Sequence, residues 1–383
     1  MDKLWTKNYI LLTVSVLLLF SSFYLLIPTL PLFIQHLGGT EAQVGLIMGV
    51  FTIAAVFGRP IIGGLNDLFG RKMFAIIGLI AFSLVMFSHT VIVTIAMLFI
   101  IRILHGFAWA TSTTSIGTAV IDVIPVDRRG EGVGWYGMAM SIAMAFGPML
   151  GIFFIEQYSF VTLFIISASL PLISILLVSL AQTPFKRPDE KMKIVIFDKS
   201  LTSISIVIFL LTFTYGGIMT FLPLFAYELQ VNAGNFFLIY AITLIAIRPV
   251  AGVLSDRKGE AFVIVPSLII VIVGLIVLAF STSLFGIIAT AILYGVGFGA
   301  AQPALQAATL RIVAADRKGV ANASFLTAFD FGIGFGSIIL GVVSQQFGFT
   351  TLFISGSVVA LGSLLLFMFT VKRKLRFETG ETV

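Results

Sequence analysis

The sequence predicts an all-α membrane protein with twelve transmembrane helices, arranged as two homologous six-helix bundles. Three observations lead to this fold class. Of the 383 residues, 59% are hydrophobic and only 10% are charged, whereas soluble domains carry about 25% charged residues. Apolar runs of about 20 residues, long enough to cross about 30 Å of hydrocarbon, follow one another almost without interruption. The second half of the chain also repeats motifs of the first half at a nearly constant offset.

The apolar runs define twelve predicted spans, which we number one to twelve. The first six lie near residues 9–34, 42–64, 73–92, 94–117, 131–155 and 160–181. The second six lie near residues 201–227, 232–254, 261–280, 284–306, 319–345 and 349–371. We predict helices because the strands of a membrane barrel alternate polar and apolar residues, and these runs do not.

Basic residues indicate which loops face the cytoplasm, because Lys and Arg accumulate on that side of a membrane. They occur in every second loop, beginning with Arg71 and Lys72 after span two. They also precede span one and follow span twelve, so we expect both termini in the cytoplasm. The net charge of +6 is concentrated in these loops and needs no nucleic-acid partner to explain it.

An internal repeat supports the division into halves. A motif of span two recurs in span eight at the constant offset of the repeat, which pairs Arg59 with Arg248, Gly63 with Gly252 and Asp67 with Asp256. We therefore expect an N-terminal bundle at 1–181 and a C-terminal bundle at 201–383, which ends in a short basic cytoplasmic tail. The polar, basic stretch at 182–200 is predicted to be a cytoplasmic linker.

A glycine-rich segment with charged ends joins spans two and three in a predicted cytoplasmic loop. Its key residues are Gly63, Asp67, Gly70, Arg71 and Lys72. Glycines let helices approach closely, and an aspartate is favoured at the positive N-terminus of a neighbouring helix. A tight turn with topogenic charges would explain the two basic residues alone.

This segment resembles the signature loop of the major facilitator superfamily, except that Leu68 stands where that family usually has a basic residue. The simple turn explains neither Arg59 within span two nor the copy of the motif that contains Arg248 and Asp256. The resemblance implies that the motif and its copy take part in a conformational switch.

Span four carries a guanidinium inside an apolar run, in the pattern Leu98-x-x-x-Arg102-x-x-x-Gly106. Arg102 lies about 14 Å of helix from the predicted outer end. A charge there costs at least about 2.5 kcal/mol, so it should face the protein interior or a wet cavity. The pattern is similar to the fourth-helix motif of antiporters of the superfamily, which implies a role in proton coupling. Structural pairing with polar groups of span one is the alternative.

Span five contains the small and helix-loosening residues Gly134, Gly147, Pro148 and Gly151. Such residues permit close helix crossings and suit a hinge. They resemble the fifth-helix motif of the antiporter branch, except that Ala143 stands where a glycine is often found. The resemblance favours an exporter, although ordinary close packing explains the same glycines.

Asp330 is the one acid placed deep within a predicted span, about 16 Å into span eleven. Its repeat position in the first half is Ser141, so the twofold architecture does not demand a carboxylate there. We predict that Asp330 binds the coupling proton. In the resembling fold spans two and eleven adjoin, which implies that Arg59 and Asp330 meet in one conformation. A permanent bridge between them that only holds the halves together is the alternative.

The same resemblance implies a central cavity lined by spans one, four, seven and ten, with substrate bound between the halves. The predicted wall mixes apolar, aromatic and amide side chains, which suits an amphipathic organic molecule. Its residues are Phe20, Phe23, Tyr24, Trp109, Tyr215, Phe221, Gln302 and Gln306.

These observations predict a monomeric, proton-coupled exporter of small amphipathic or hydrophobic molecules in a bacterial plasma or inner membrane. The alternatives are a transporter of a polar solute, such as a sugar or an opine-like metal chelator, and a non-transporting membrane sensor. The sequence shows no catalytic constellation and no nucleotide-binding loop, so we expect neither an enzyme nor a cofactor. His36, His89 and His105 are not spaced as a metal set.

Overall fold

The chain folds into long apolar helices, as a computed structural model describes for residues 3–183, 199–313 and 318–379. Most of the predicted linker 182–200 lies outside the described residues, as do Arg317 and the last four residues of the tail. Within the described residues there are no β strands. The long helices are Lys7–Leu26 followed by Thr29–His36 (span one), Glu41–Phe69 (two), Arg71–Ser88 (three), Ile95–Val123 (four), Arg129–Gln157 (five), Phe160–Leu180 (six), Thr202–Glu228 (seven), Ala233–Lys258 (eight), Glu260–Ala279 (nine), Leu284–Arg311 (ten) and Lys318–Leu366 (eleven and twelve).

The last long helix contains two spans. In the described part of the chain, eleven helical stretches are long and apolar enough to cross a membrane, and the last of them runs over 53 residues at Ala323–Leu375. Such a helix would be about 80 Å long, far more than a bilayer needs. Gly348 breaks it with a φ of 78°. The break falls at the repeat position of Ser159, the residue that separates spans five and six. The twelve predicted spans are therefore confirmed.

The repeat is also visible in the backbone. Gly70 and Gly259, which occupy equivalent positions of the repeat, have φ angles of 92° and 82°, a region that side chains with a Cβ rarely adopt. Each of them alone separates the second helix of its half from the third. The predicted loop at 63–72 is therefore helical on both sides of one glycine, and the helix of span two continues to Phe69. Short loops of this kind force neighbouring helices to run antiparallel.

The helices form two compact units, residues 1–38 with 50–193 and residues 39–49 with 194–383. This division differs from the predicted one in residues 39–49, which begin the helix of span two. These residues lie against span eleven within the second unit, where a Cβ added to Gly45 would overlap the carbonyl oxygen of Ser337. The Ala42 amide also donates to Gln345 Oε1 over 3.3 Å. The missing side chain of Gly45 explains how two helices pack this closely.

Two glycines of the predicted hinge lie at a close helix crossing inside the first unit. A Cβ on Gly147 would approach Tyr24 Cβ of span one to 2.5 Å, and one on Gly151 would overlap the Leu25 carbonyl. A Cβ on Gly134 would meet no atom within 4 Å. In the second unit Gly336, at the repeat position of Gly147, packs in the same way against the backbone of Phe213 in span seven. The hinge role stays a prediction, whereas the close crossing is a feature of both units.

An ion pair ties the third and fourth helices of each half together, and its sign is inverted between the halves. Arg71 Nε lies 2.9 Å from Asp122 Oδ2 in the first unit. Glu260 Oε2 lies 2.8 Å from Arg311 Nη1 in the second. Both residues of the second pair stand at the repeat positions of the first pair. Both units therefore place opposite charges at these two helix ends, and either helix can carry the basic residue.

Lys72 has a separate role at the same end of the first unit. Its Nζ donates to the carbonyl oxygens of Ser179 and Ala181 over 2.6 Å and 2.8 Å. These carbonyls belong to the end of span six, where the helix leaves acceptors unpaired and its dipole favours a cation. Lys72 therefore caps a helix, a function that the predicted topogenic role does not include.

Glu260→Gln should lower the free energy of unfolding by about 1–2 kcal/mol, because it removes the acceptor of an ion pair in which Glu260 is only 9% exposed. Thermal unfolding of the purified protein in detergent measures this loss. The double variant Glu260→Arg with Arg311→Glu should recover most of it, since that is the charge order of Arg71 and Asp122.

Glu131→Gln is the matched control for this substitution. Its partner Arg128 lies 2.7 Å away, but both side chains are substantially exposed, at 44% and 31%. Such a pair contributes less than about 0.5 kcal/mol. Equal losses for Glu260→Gln and Glu131→Gln would contradict the role assigned to the Glu260 pair.

Candidate functional site

Arg102 is buried inside the first unit, as expected for a charge that would be costly in contact with lipid. The helix of span four begins after Thr94, whose hydroxyl accepts from the Met97 amide as an N-cap. Arg102 follows about 10 Å further along this helix. Only 2% of the residue is exposed, so its charge must be stabilised by protein groups.

His105 and Phe51 both contact the Arg102 guanidinium. Its Nη1 lies 2.9 Å from His105 Nδ1, one turn further along the same helix. Its Cζ lies 4.2 Å from the centre of the Phe51 ring in span two. A guanidinium has only donors, so His105 Nδ1 accepts and the imidazole is neutral with its proton on Nε2. A hydrogen bond and a cation–π contact thus replace water around the charge.

His105 is enclosed by aromatic rings and by a second histidine. Its ring centre lies 4.7 Å from that of Phe82, 5.0 Å from that of Phe51 and 5.8 Å from that of His89. His89 Nδ1 lies 2.8 Å from the Val85 carbonyl, so Nδ1 is the donor. Both histidines are buried, and neither Nε2 atom has a hydrogen-bond partner among the described residues.

Sequence reasoning did not identify this pair of histidines. The spacing of His105 three residues after Arg102 indicates that the two share a helix face, which was an available signal. The approach of His89 depends on how spans three and four pack, and one sequence does not contain that information. We call Arg102, His105, His89 and Phe51 the buried cationic cluster.

Four predicted cavity residues form a continuous group of aromatic rings beside this cluster. Trp109 stacks on Phe23 at 4.3 Å and lies 4.7 Å from Phe20. Tyr24 lies 5.5 Å from Phe23. Phe23 also contacts His105 at 6.4 Å, which joins this group to the buried cationic cluster. Trp109 is buried, whereas the three residues of span one are half-buried.

Gly106 holds spans two and four at the distance that these contacts need. A Cβ on Gly106 would overlap the Phe51 carbonyl and would lie 2.7 Å from Ala54 Cβ. Because the helices touch at this glycine, the Phe51 ring lies within reach of Arg102 on the next turn. The small residue predicted beside the arginine therefore positions the cluster.

The second unit contains the same frame without the buried charge. Tyr215 stacks on Phe298 at 4.5 Å. Phe298 stands at the repeat position of Trp109, and Tyr215 stands at that of Phe23 when spans one and seven are aligned on Pro31-Leu32-Phe33 and Pro223-Leu224-Phe225. Gly295 occupies the position of Gly106, and a Cβ there would lie 3.2 Å from the Tyr240 carbonyl. The repeat of spans one, two and four thus preserves the aromatic stack and the close crossing.

The charged residues are replaced in that frame. Ala291 stands at the repeat position of Arg102, and Tyr294 stands at that of His105. The Tyr294 hydroxyl lies 2.9 Å from Thr214 Oγ1, so a neutral hydrogen bond satisfies this buried group. The fold therefore packs this crossing without an arginine or a histidine.

The remaining predicted cavity residues occupy different environments. Phe221 is fully buried, and a Cβ on Gly341 of span eleven would lie 3.0 Å from its Cζ, so it packs two helices in this structure. Gln302 Oε1 lies 3.4 Å from Arg248 Nη2, which joins a predicted cavity residue to a predicted switch residue. Gln306 is half-buried. A lining role for these residues stays a prediction.

The other predicted coupling residues are divided between the units. Arg59 lies in the first unit and Asp330 in the second. Both are half-buried, and Asp330 Oδ2 is a buried atom. Their pairing stays a prediction. Within the switch segment Asp67 lies 3.5 Å from Arg71, and its copy Asp256 is exposed.

A family model described as Major Facilitator Superfamily matches residues 12–259 and 204–382 of the chain. Among similar proteins, the staphylopine export protein of Staphylococcus aureus is 26% identical over 94% of this chain and 95% of its own length. Multidrug resistance protein MdtG of Escherichia fergusonii is 22% identical over 97% of this chain and 96% of its own length. Each of these two matches covers more than nine-tenths of this chain.

Solved structures show the same fold. A bacterial homolog of the human lysosomal transporter Spinster, in an inward-facing and occupied conformation, has a TM-score of 0.81 at 15% identity, over 97% of each chain. The D323A mutant of the nucleoside transporter NupG has a TM-score of 0.78 at 18% identity, over 94% of this chain and 99% of its own.

Gly106→Ala should lower the free energy of unfolding by about 2–3 kcal/mol, because the added methyl group meets backbone atoms of span two. Gly137→Ala is the matched control, since a Cβ there meets no atom within 4 Å. Alanine favours helix over glycine by about 1 kcal/mol, so the control should be neutral or stabilising. Thermal unfolding in detergent compares the two, and equal stability of both variants would contradict the close crossing.

Proposed function

Since this chain belongs to the major facilitator superfamily of transporters, we propose that it exports small amphipathic or hydrophobic organic molecules in exchange for protons. Export proceeds by alternating access across a bacterial plasma membrane. The observation that carries this proposal is the group of aromatic rings at Phe20, Phe23, Tyr24 and Trp109, joined to the buried guanidinium of Arg102. Apolar rings bind such molecules through contact area, and a few polar groups orient them.

The names of related proteins support an efflux function. MdtG is described as a multidrug resistance protein, and the match to it covers nearly the whole chain. A broad specificity for hydrophobic molecules requires a surface of large, adaptable side chains with few fixed polar partners. The half-buried residues of span one provide such a surface in the first unit.

Proton coupling in this proposal involves Asp330, with Arg59 and Arg102 as the cations. A carboxylate far from the ends of a span is costly, because its charged form is poorly solvated there. Its presence at such a depth therefore indicates a functional role. Contact with a cation favours the ionised form, and separation in an apolar setting favours the protonated form. A proton on Asp330 therefore changes which of two conformations is favoured.

A polar solute with a carboxylate is the second candidate substrate. The staphylopine export protein covers as much of this chain as the multidrug resistance relatives do. Arg102 also supports this alternative, because a guanidinium pairs with a carboxylate through two parallel hydrogen bonds. An opine-like metal chelator has the required acidic groups, whereas a sugar has none.

A ligand-stabilisation screen separates the two substrate classes. We expect a hydrophobic cation such as tetraphenylphosphonium to raise the stability of the purified protein by about 2.7 kcal/mol at one hundred times its dissociation constant. The matched comparison is a carboxylate-rich chelator, with and without its metal, measured by thermal unfolding in the same detergent. Stabilisation by the chelator alone would make the polar solute the better assignment.

Asp330→Asn should retain substrate binding and lose substrate-driven proton movement, because asparagine keeps the shape of the side chain but cannot release a proton. In proteoliposomes we expect proton movement at least about tenfold slower than wild type. Glu156→Gln is the control, since it removes an exposed carboxylate near the end of span five. Proton movement at the wild-type rate in Asp330→Asn would leave the bridge to Arg59 as its role.

A further inference from the structure

The proposed function leaves the histidines of the buried cationic cluster unused. We propose that His105 Nδ1 is a proton-binding site at which a proton and the Arg102 guanidinium exclude each other. This inference rests on the proposed proton-coupled transport and adds a second titratable group to it. Binding of a proton at His105 would break the hydrogen bond that links it to Arg102.

The exclusion follows from a single lone pair. Neutral imidazole has one acceptor nitrogen, and in His105 that nitrogen lies 2.9 Å from Arg102 Nη1. When a proton from water adds to this lone pair, both ring nitrogens become donors and the hydrogen bond from Arg102 is lost. The guanidinium keeps its own protons, so the site gains one positive charge and no other bond breaks.

Electrostatics acts in the same direction as this geometry. Two cations at hydrogen-bond distance repel each other, and the repulsion is stronger away from water than in it. Arg102 and His105 are both buried, so solvent screens the repulsion poorly. A proton on His105 therefore expels the guanidinium rather than sharing the site with it.

Arg102 and His89 are the titratable groups that face His105 within the described residues. Span one contributes Phe23, span two contributes Phe51, and span three contributes Phe82 together with His89. The charged and titratable partners of His105 in these contacts are therefore the arginine and the second histidine.

His89 has the complementary free atom. Its Nδ1 donates to the Val85 carbonyl, so its Nε2 carries a lone pair, whereas His105 Nε2 carries a hydrogen. Both Nε2 atoms are buried and have no hydrogen-bond partner within the described residues. The centres of the two imidazole rings lie 5.8 Å apart. His89 also begins the turn after span three, so it is the member of the cluster nearest to a helix end.

The second unit argues against a purely architectural role. There the same crossing is built with Ala291 and Tyr294, and the tyrosine hydroxyl is satisfied by Thr214. A buried arginine with a histidine partner is more costly than this neutral arrangement. The pair of Arg102 and His105 occurs in one half only, so a role other than helix packing accounts for it.

Nuclear magnetic resonance of the full-length protein with labelled histidine and arginine side chains tests the site directly. The chain has three histidines, and His105→Gln and His36→Gln assign their signals. We expect His105 as the Nε2-protonated tautomer at neutral pH. Acidification should add a proton at Nδ1 and shift the Arg102 side-chain signal at the same pH. A proton on Nδ1 at neutral pH, or an Arg102 signal that does not follow His105, would overturn the proposal.

Transport measurements in proteoliposomes test its function, with tetraphenylphosphonium as the probe. His105→Gln keeps an acceptor for Arg102 but cannot carry a proton, His105→Ala removes the acceptor, and His36→Gln is the control on an exposed histidine. We expect His105→Gln to bind the probe, to slow probe-driven proton movement about tenfold, and to flatten the dependence of binding on pH on the acidic side of neutrality.

The outcomes separate this inference from the proposed function. If wild type moves protons and His105→Gln behaves like wild type in rate and pH profile, His105 is not the site. Loss of probe binding in both His105 variants would show a structural role and would also overturn the inference. If wild type moves no protons while the resonance experiment shows the competition, proton-coupled export fails and the proton site at His105 stands.

Discussion

A guanidinium removed from water is the constraint on which the first unit is organised. Arg102 costs at least about 2.5 kcal/mol at its depth in span four, so every neighbouring group must help to stabilise it. His105 supplies the acceptor, Phe51 supplies a ring face, and Gly106 lets the helix that carries Phe51 come close enough. Of these three, the acceptor His105 is specific to the charge, because the second unit keeps the glycine of the crossing where Ala291 replaces the arginine.

The two halves show which parts of this arrangement belong to the fold. The stacked pair Tyr215 and Phe298 repeats the stack of Phe23 and Trp109, so aromatic packing of the first and fourth helices is a shared solution. The buried charge occurs in one half, where Tyr294 of the other half has a neutral hydrogen bond. The two halves thus share a packing frame but differ in its polar residues. Arg102 and His105 of the first half are therefore residues that the packing does not require.

The sequence predicted the class of fold, the number of spans and the buried arginine, because hydropathy and the cost of charge act locally. It did not predict that Gly70 alone would separate two helices, since a glycine-rich segment is equally compatible with a longer loop. It missed the pair Glu260 and Arg311 because a search for identical residues overlooks an exchange of signs. The contact of His89 with His105 depends on the packing of two helices, which local patterns do not contain.

The inverted ion pairs have a consequence for the biogenesis of the protein. Asp122 and Arg71 lie at helix ends on one face of their unit, as Arg311 and Glu260 do in theirs. An exchange of the two charges moves a basic residue from one loop to the next loop on that same face, so the count of retained positive charges is unchanged. Because insertion machinery responds to that count, either order of the pair is compatible with the same orientation of the helices. The order of the charges therefore distinguishes two halves that topology signals alone treat as equal.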